Sequence, residues 1–220
     1  MIFKYINRSV VVFLGCCLFA IAVAKQDQAA QSSQTAVAAQ DPVVQLSQTA
    51  DQMISALKAN KSSMKANPAV AENLARQILL PQVNVTLMAK LALGRNAWNS
   101  ATPQQRADFT KAFTTLMIRT YAAAFSSYTN EVVKFYPLRS GDMEDGRVQI
   151  KSEILQTGGP AIPVNYRLLQ QNGVWKVYDI NVDGVSLIQS FQSQFASQLA
   201  EGGMDQLLAA LNQHNKELQK

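Results

Sequence analysis

The 220-residue sequence has few of the residues that build catalytic or metal sites. It has two cysteines, Cys16 and Cys17, and one histidine, His214. Both cysteines lie in an N-terminal segment that we expect to be removed, which leaves no disulfide, thiol nucleophile or thiolate metal ligand. One histidine cannot build a histidine-rich zinc site. Because His214 lies in a polar C-terminal stretch, we expect it to be a solvated surface residue.

Other signatures are missing as well. The sequence has no G-x-S-x-G motif and no glycine-rich loop that opens a helix, so the usual serine-hydrolase and phosphate-binding signals are absent. Its net charge is +5, but the basic residues are scattered and form no stripe for nucleic acid. The sequence therefore predicts a protein that is not an enzyme and has no metal, cofactor or nucleic-acid partner.

The carboxylates do not change this prediction. Asp142, Glu144 and Asp145 cluster between glycines, but their spacing fits no EF-hand, and we expect a solvated turn. Asp179 lies in a predicted strand and Asp183 precedes a glycine at its end. We expect both to be cap or turn residues and not a general acid/base pair.

Residues 1–24 have the pattern of a secretory signal peptide. Lys4 and Arg8 give a positive start, an apolar run follows over 10–24, and the run ends in Ala22-Val23-Ala24, a small-x-small cleavage site. A membrane anchor is the alternative, but the run is shorter than the roughly 20 residues that a spanning helix needs. Lipidation at Cys16 is a further alternative. Residues 25–41 are rich in Gln, Ala, Ser and Thr and predict a flexible N-terminal segment.

Residues 42–220 are predicted to form one domain that begins with helices. Helix starts are expected at Asp41-Pro42, at Asn67-Pro68, at Asn84 and at the capping box formed by Thr102 and Gln105. Pro81 and Gly94 are expected to end the second and third helices. The fourth is long and has an aromatic stripe.

The hydrophobic period then changes to that of strands. Alternating apolar residues predict strands over 132–138, 148–154 and 162–168, and Asn172-Gly173 predicts a hairpin leading into a fourth strand over 174–182. The helical period returns after Gly184, and a last helix is expected over 204–218. The layout is α+β, with a largely antiparallel sheet of about four strands packed against several helices. The aromatic stripes are compatible with a packed core or with a hydrophobic cavity.

An ordered set of residues resembles the MlaC family, the toluene-tolerance auxiliary proteins. The matching residues are Asn67-Pro68, Leu79-Leu80-Pro81, Met88, Ala92-Leu93-Gly94, Trp98, Ala101-Thr102-Pro103, Gln105-Arg106, Phe109, Phe113, Tyr121, Tyr128, Tyr166-Arg167-Leu168, Trp175-Lys176-Val177-Tyr178-Asp179 and Gly184-Val185-Ser186-Leu187. The resemblance covers the chain from about residue 41 to its end.

This resemblance implies a cone-like fold in which a curved sheet and helices enclose a hydrophobic cavity. It implies a periplasmic carrier that shuttles phospholipid between an outer-membrane lipoprotein–porin complex and an inner-membrane ABC transporter with an MCE-domain subunit, and so maintains the lipid asymmetry of the outer membrane. Phospholipid would be cargo and not a cofactor, and the carrier would be a monomer. An exported protein-interaction module without a lipid is the alternative, and a hydrolase on a similar fold is a third hypothesis.

The residues that we expect to line the lipid cavity come from the third and fourth predicted helices, the segment between them, one strand and the segment after Gly184. They are Met88, Leu91, Trp98, Phe113, Met117, Tyr121, Val164, Tyr166, Leu168, Val185, Leu187, Ile188 and Phe191.

Overall fold

The computed structural model describes residues 40–67, 69–126, 131–156 and 158–219. The predicted signal peptide, nearly all of the predicted flexible segment and Tyr128 therefore lie outside the described residues. The helices are α1 (Pro42–Ala59), α2 (Lys61–Ala66), α3 (Ala69–Leu74), α4 (Val85–Leu93), α5 (Arg95–Ser100), α6 (Pro103–Ser126) and α7 (Leu187–Glu217). The strands are β1 (Val132–Phe135), β2 (Met143–Glu144), β3 (Arg147–Leu155), β4 (Ile162–Gln171), β5 (Val174–Val182) and β6 (Val185–Ser186).

Three helices begin at the predicted caps. The Asp41 carboxylate accepts a hydrogen bond from the first turn of α1 at 2.7 Å, and the Asn84 side chain accepts one from the backbone N–H of Leu87 in α4 at 2.9 Å. Ahead of α6, the Thr102 hydroxyl accepts from the N–H of Gln105, whose side chain accepts from the N–H of Thr102. This reciprocal pair is the predicted capping box.

The helix predicted to run up to Pro81 changes its winding before it ends. It is α-helical in α3, widens to a π-helical turn over Ala75–Leu79 and tightens to a 3-10 turn over Leu80–Gln82. The N–H of Leu80 donates to the carbonyl of Ala75. A proline ring excludes the carbonyl four residues earlier from its α-helical position, so the chain shifts register before Pro81.

The sheet is antiparallel, in the order β1-β3-β4-β5-β6, with β2 beside the start of β3. Its four longer strands are the predicted ones. Asn172 and Gly173 have φ of 52° and 79°, as a type I′ hairpin turn requires. The first strand ends at Phe135, earlier than predicted, because Pro137 has no N–H to continue the ladder. The α+β prediction is confirmed, while the sequence did not predict α2, α5, β2 and β6, which have between two and six residues each.

The predicted break between the last two helices is present inside α7. Gly203 has φ 71° and ψ −167°, which is not helical, so α7 is two helical segments joined at this residue. None of the helices in the described ranges is long and apolar enough to cross a bilayer.

The helices α4, α6 and α7 share an aromatic core. The Phe113 ring meets those of Phe191 and Phe195 edge-on at 5.2 and 5.8 Å between centroids, and Phe109 stacks on Phe113 at 5.8 Å. Each such ring pair adds about 0.5–1.5 kcal/mol beyond the burial of its area. These contacts hold α6 and α7 together as one wall.

A second core lies at one end of the sheet. Val148, Ile150, Leu168, Trp175 and Val177 are buried together there. Val43 and Leu46 of α1 pack against them, so α1 covers this end of the sheet.

Side-chain and backbone hydrogen bonds hold the helices against β5. The Gln45 amide of α1 donates to the carbonyl of Trp175 at 2.7 Å and accepts from its N–H at 3.3 Å. The N–H of Asn84 donates to the carbonyl of Val177 at 2.8 Å. These bonds pair backbone groups at this edge of the sheet that would otherwise lack partners.

Asp179 fixes the junction between the sheet and α7. Its buried carboxylate accepts hydrogen bonds from the Ser186 hydroxyl at 2.9 Å and from the N–H of Ile188 at 3.3 Å. The guanidinium of Arg167, on the neighbouring strand, lies 3.7 Å from the same carboxylate. Ser186 also caps α7, because its hydroxyl oxygen accepts from the N–H of Gln189 at 3.1 Å. Asp179 was expected to be a cap or turn residue, but it lies within β5 and supports the cap residue Ser186. Asp183, with φ 50°, lies in the predicted turn.

Replacing Ser186 with alanine should destabilise the fold. The loss of a helix cap typically costs about 1 kcal/mol of unfolding free energy. The buried Asp179 carboxylate also loses a hydrogen-bond donor, which costs roughly 1–3 kcal/mol more. We expect the urea-unfolding free energy of Ser186→Ala to fall by about 2–4 kcal/mol. Ser190→Ala is the matched control, because the Ser190 hydroxyl bonds only back to the carbonyl of Ser186 within the helix. Equal losses in the two variants would contradict the role assigned to Ser186.

Candidate functional site

A cavity of about 290 Å³ lies between one face of the sheet and the helices. Its walls are α1, the segment over 75–85, Met88 of α4, one side of α6, four strands and the start of α7. The lining residues are Leu46, Thr49, Ala50, Met53, Ala75, Leu79, Leu80, Gln82, Val83, Val85, Met88, Phe113, Thr114, Met117, Ile118, Tyr121, Ala124, Phe125, Phe135, Ile154, Ile162, Val164, Tyr166, Val177, Ile180, Val182 and Leu187.

A β-bulge in β5 brings three of its apolar residues to the cavity. Successive side chains of a regular strand alternate between faces, so Val177 and Ile180 would point in opposite directions. The register between β4 and β5 shifts after Arg167, which pairs with Asp179, while the next residue of β4 pairs with Val177. Tyr178 is the extra residue, and Val177, Ile180 and Val182 all line the cavity.

The cavity is lined almost entirely by apolar side chains and, among the described residues, by none that is charged. Most of its polar groups are already bonded. The hydroxyls of Thr49 and Thr114 donate to backbone carbonyls one helical turn earlier, and the Gln82 side chain accepts from Gln45. The Tyr121 hydroxyl has no hydrogen-bond partner among the described residues and is available to a ligand.

Burial raises the pKa of both cavity tyrosines further above physiological pH. It raises the pKa of Tyr121 to about 12. It also raises the pKa of Tyr166 to about 12, although the Ser152 hydroxyl opposes the shift. Both phenols are therefore neutral hydrogen-bond donors at physiological pH and add no charge to the cavity.

The dimensions of the cavity suit an extended hydrocarbon chain. Along α6 the lining runs from Phe113 to Phe125, which is about 18 Å at 1.5 Å per residue. One leaflet contributes about half of the roughly 30 Å hydrocarbon core of a bilayer. Met53, Met88 and Met117 lie in the wall, and their unbranched side chains adapt to ligands of varied shape.

The carboxylates and the histidine singled out in the sequence have local contacts in the described residues. Within the described ranges, no group of three or more His, Cys, Asp or Glu side chains is placed to hold a metal ion. Asp142 accepts from the backbone of Arg139 at 2.7 Å, and this hydrogen bond lowers the pKa of the Asp142 carboxyl. Nδ1 of His214 lies 3.8 Å from Glu217 at the end of α7, where His214 is half-buried and less solvated than expected.

A family model described as MlaC protein matches residues 47–213, which is most of the chain. The chain belongs to the MlaC family. Members of this family are phospholipid carriers and not enzymes.

Two curated relatives are similar over about three quarters of their length. The intermembrane phospholipid transport system binding protein MlaC of Haemophilus influenzae is 30% identical over 168 residues, which are 74% of this chain and 77% of the relative. The toluene tolerance protein ttg2D of Pseudomonas putida is 29% identical over 154 residues, which are 70% of this chain and 71% of the relative.

A solved structure shares the fold. The phospholipid-binding protein of Ralstonia solanacearum, determined in complex with a phospholipid, is 29% identical, with a TM-score of 0.75. The alignment covers 82% of this chain and 99% of that protein.

The structure brings seven of the thirteen residues expected at the site into the wall of this MlaC cavity. They are Met88, Phe113, Met117, Tyr121, Val164, Tyr166 and Leu187. They lie on four helices or strands that are distant in the sequence, namely α4, α6, β4 and α7.

The other six expected residues do not line this cavity. Leu91 and Val185 are on the surface, with exposed fractions of 37% and 58%. Trp98, Ile188 and Phe191 are buried in the aromatic core of the helices, and Leu168 is buried in the core at the end of the sheet. Leu168, Ile188 and Phe191 are buried as their apolar periods predict, but the period of one element does not reveal which neighbour covers it.

Sequence reasoning missed most of the wall contributed by α1, by the segment over 75–85 and by β5. A signal existed for some of these residues, since Leu46, Ala50 and Met53 share the apolar stripe of α1. No signal existed for Ile180, because a regular alternation starting at Val177 places it on the other face.

The raised pKa values predict a loss of stability at high pH. The folded protein favours the neutral phenols, so this stability is fully present below the unfolded pKa of about 10. It is lost as pH rises from about 10 to about 12, at up to roughly 1.4 kcal/mol per pH unit for each tyrosine. We expect the double variant Tyr121→Phe/Tyr166→Phe to lose less unfolding free energy than the parent between pH 9.5 and 11.5, measured by urea unfolding. Parallel curves for the two proteins would contradict the assignment.

Proposed function

We propose that this chain is a phospholipid carrier that holds the acyl chains of its cargo in the cavity and acts in transport between membranes. The observation that carries the proposal is the uncharged cavity of about 290 Å³. It belongs to a chain that shares its fold with a protein solved in complex with a phospholipid. The names of the two curated relatives, one an intermembrane phospholipid transport binding protein, support the same function.

The hydrophobic effect explains how such a site holds its cargo without any specific bond. Each methylene removed from water contributes about 0.8 kcal/mol, so two long acyl chains contribute roughly 20 kcal/mol or more. A bilayer shields the chains equally well. Loss of the lipid into water is therefore very slow, whereas exchange with a membrane or another carrier is close to balance.

The seven expected residues that lie in the wall are the ones we propose as contacts to the acyl chains. Phe113 and Met117 face the cavity from α6, and Val164 and Tyr166 face it from β4. Leu187 closes it at the start of α7, in the segment that Asp179 and Ser186 hold in place.

The cellular setting is part of the same proposal. The MlaC family is periplasmic, and residues 1–24 have the pattern of a signal peptide, so we propose that the chain is exported and cleaved. We propose that it exchanges lipid, as a monomer, with an outer-membrane lipoprotein–porin complex and an inner-membrane ABC transporter complex that has an MCE-domain subunit. Phospholipid is its cargo, and it needs no cofactor.

A pair of variants on one strand tests the cavity. Val182 lines the cavity, whereas Val174 at the other end of β5 is 42% exposed on the surface. Val182→Glu places a carboxylate against the acyl chains, and removing an ion from water costs several kcal/mol. We expect native mass spectrometry of protein purified without detergent to show phospholipid on the parent chain. In Val182→Glu we expect at least a roughly tenfold lower occupancy.

Val174→Glu is the control and should retain full occupancy, because its carboxylate stays in water. Circular dichroism and a cooperative thermal transition establish that both variants are folded. An empty parent protein would overturn the carrier proposal. Full occupancy in a folded Val182→Glu would show that the chains lie elsewhere.

A further inference from the structure

The cavity has a closed end where the two packed cores meet. Met88, Phe113 and Val177 line the cavity there, and each of these side chains is at most 5% exposed. Val83 also lines the cavity, and it packs against both the helical core and the core at the end of the sheet. We call these four residues the closed end of the cavity.

Along α6 the lining of the cavity begins at Phe113. One helical turn earlier on the same face, Phe109 is fully buried and does not line the cavity. Towards the C-terminal end of α6, Tyr121 and Phe125 line the cavity and are only half-buried. An acyl chain that lies along α6 therefore advances towards Phe113 and stops there.

The barrier at Phe113 is a side chain and not the backbone. Behind it the ring meets those of Phe191 and Phe195 edge-on at 5.2 and 5.8 Å between centroids, and Phe109 stacks on it at 5.8 Å. None of these three rings lines the cavity. Contacts with three rings hold Phe113 in place, whereas the neighbouring Met88 has a flexible side chain that can bend aside.

A fixed closed end limits the length of acyl chain that the cavity can shield from water. The lining from Phe113 to Phe125 spans about 18 Å, close to the roughly 15 Å of one bilayer leaflet. A longer chain leaves its surplus methylenes outside the cavity, whereas a bilayer of the same lipid shields all of them. Each surplus methylene therefore shifts the exchange towards the bilayer by about fourfold.

We propose that the Phe113 ring sets the length of the longest acyl chain that this carrier binds without loss of affinity. The four residues of the closed end are all apolar, so this selection acts on chain length and not on the headgroup. The inference rests on the proposed function, because it assigns a chain-length preference to the same cavity.

Competition between two lipids that differ only in chain length tests the role of Phe113. The full chain is equilibrated with vesicles of equal parts dipalmitoleoyl and dieicosenoyl phosphatidylcholine and then separated from them, and native mass spectrometry gives the ratio of the two bound lipids. We expect the parent chain to favour the shorter lipid by about tenfold, which two surplus methylenes already produce. Phe113→Leu opens space towards Phe191 and should lower this ratio by about fourfold for each methylene gained.

Two further variants separate the role of Phe113 from a general loss of packing. Phe113→Met nearly conserves volume and keeps the fold, but its side chain can bend aside, so the ratio should again fall. Leu207→Ala is the control, because Leu207 is fully buried in the same core and does not line the cavity. It leaves a void of comparable size and should keep the ratio of the parent chain. Circular dichroism and a cooperative thermal transition establish that each variant is folded.

The outcomes distinguish this inference from the carrier function. A parent chain that binds both lipids equally would overturn the inference and leave the carrier function standing. An unchanged ratio in folded Phe113→Leu and Phe113→Met would also overturn it, because the chains would then end elsewhere. An equal fall of the ratio in Leu207→Ala would assign the effect to the core as a whole and overturn it too. A parent chain without any lipid would overturn the carrier function as well.

Discussion

The packing of phenylalanine against phenylalanine between α6 and α7 is the contact on which the cavity depends. Four rings pack against one another with centroid separations between 5.2 and 5.8 Å, and they belong to Phe109, Phe113, Phe191 and Phe195. Because these rings fill the space between the helices, they do not fill the space between the helices and the sheet. Only Phe113 also lines the cavity. A close-packed wall therefore stands beside an unfilled face of the sheet.

The sheet forms the opposite wall of the cavity, and only part of its apolar face is covered by a helix. At one end its apolar residues are covered by α1, through Val43, Leu46 and the hydrogen bonds of Gln45. Towards the other end, Ile154, Ile162 and Val182 face the cavity. The bulge at Tyr178 lets β5 serve both regions, with Val177 in the covered core and also in the cavity wall. The void thus lies between two packed cores.

Local chemistry determined the elements that the sequence predicted well. Asp41, Asn84 and Thr102 cap helices because their side chains satisfy N–H groups a few residues away. Asn172-Gly173 tolerates positive φ and sets the register of β4 and β5. Both interactions lie within a short stretch of chain and can be read from it. The short elements α2 and α5 have fewer than two turns, so they display no period, and tertiary contacts decide that they form.

The site was predictable only in part. A residue lines the cavity when no neighbouring helix or strand covers its apolar side chain, and the sequence of one element does not show this. Phe191 and Phe113 belong to equivalent stripes in the sequence, yet one is buried among rings and the other meets the cavity. Tyr166 and Leu168 lie two residues apart on the same face of β4, yet only Tyr166 lines the cavity. Ile180 became a lining residue through a bulge that the alternation does not reveal.

The sequence by itself determined the α+β layout, the helix caps, the hairpin and the scarcity of catalytic groups, since each follows from composition or from contacts near in the chain. It also indicated the MlaC family through an ordered set of residues. Only the tertiary structure decided that the apolar stripes leave a cavity and that Asp179 anchors α7. The cavity joins residues as far apart in the sequence as Leu46 and Leu187, and its position follows from how the helices and the sheet pack.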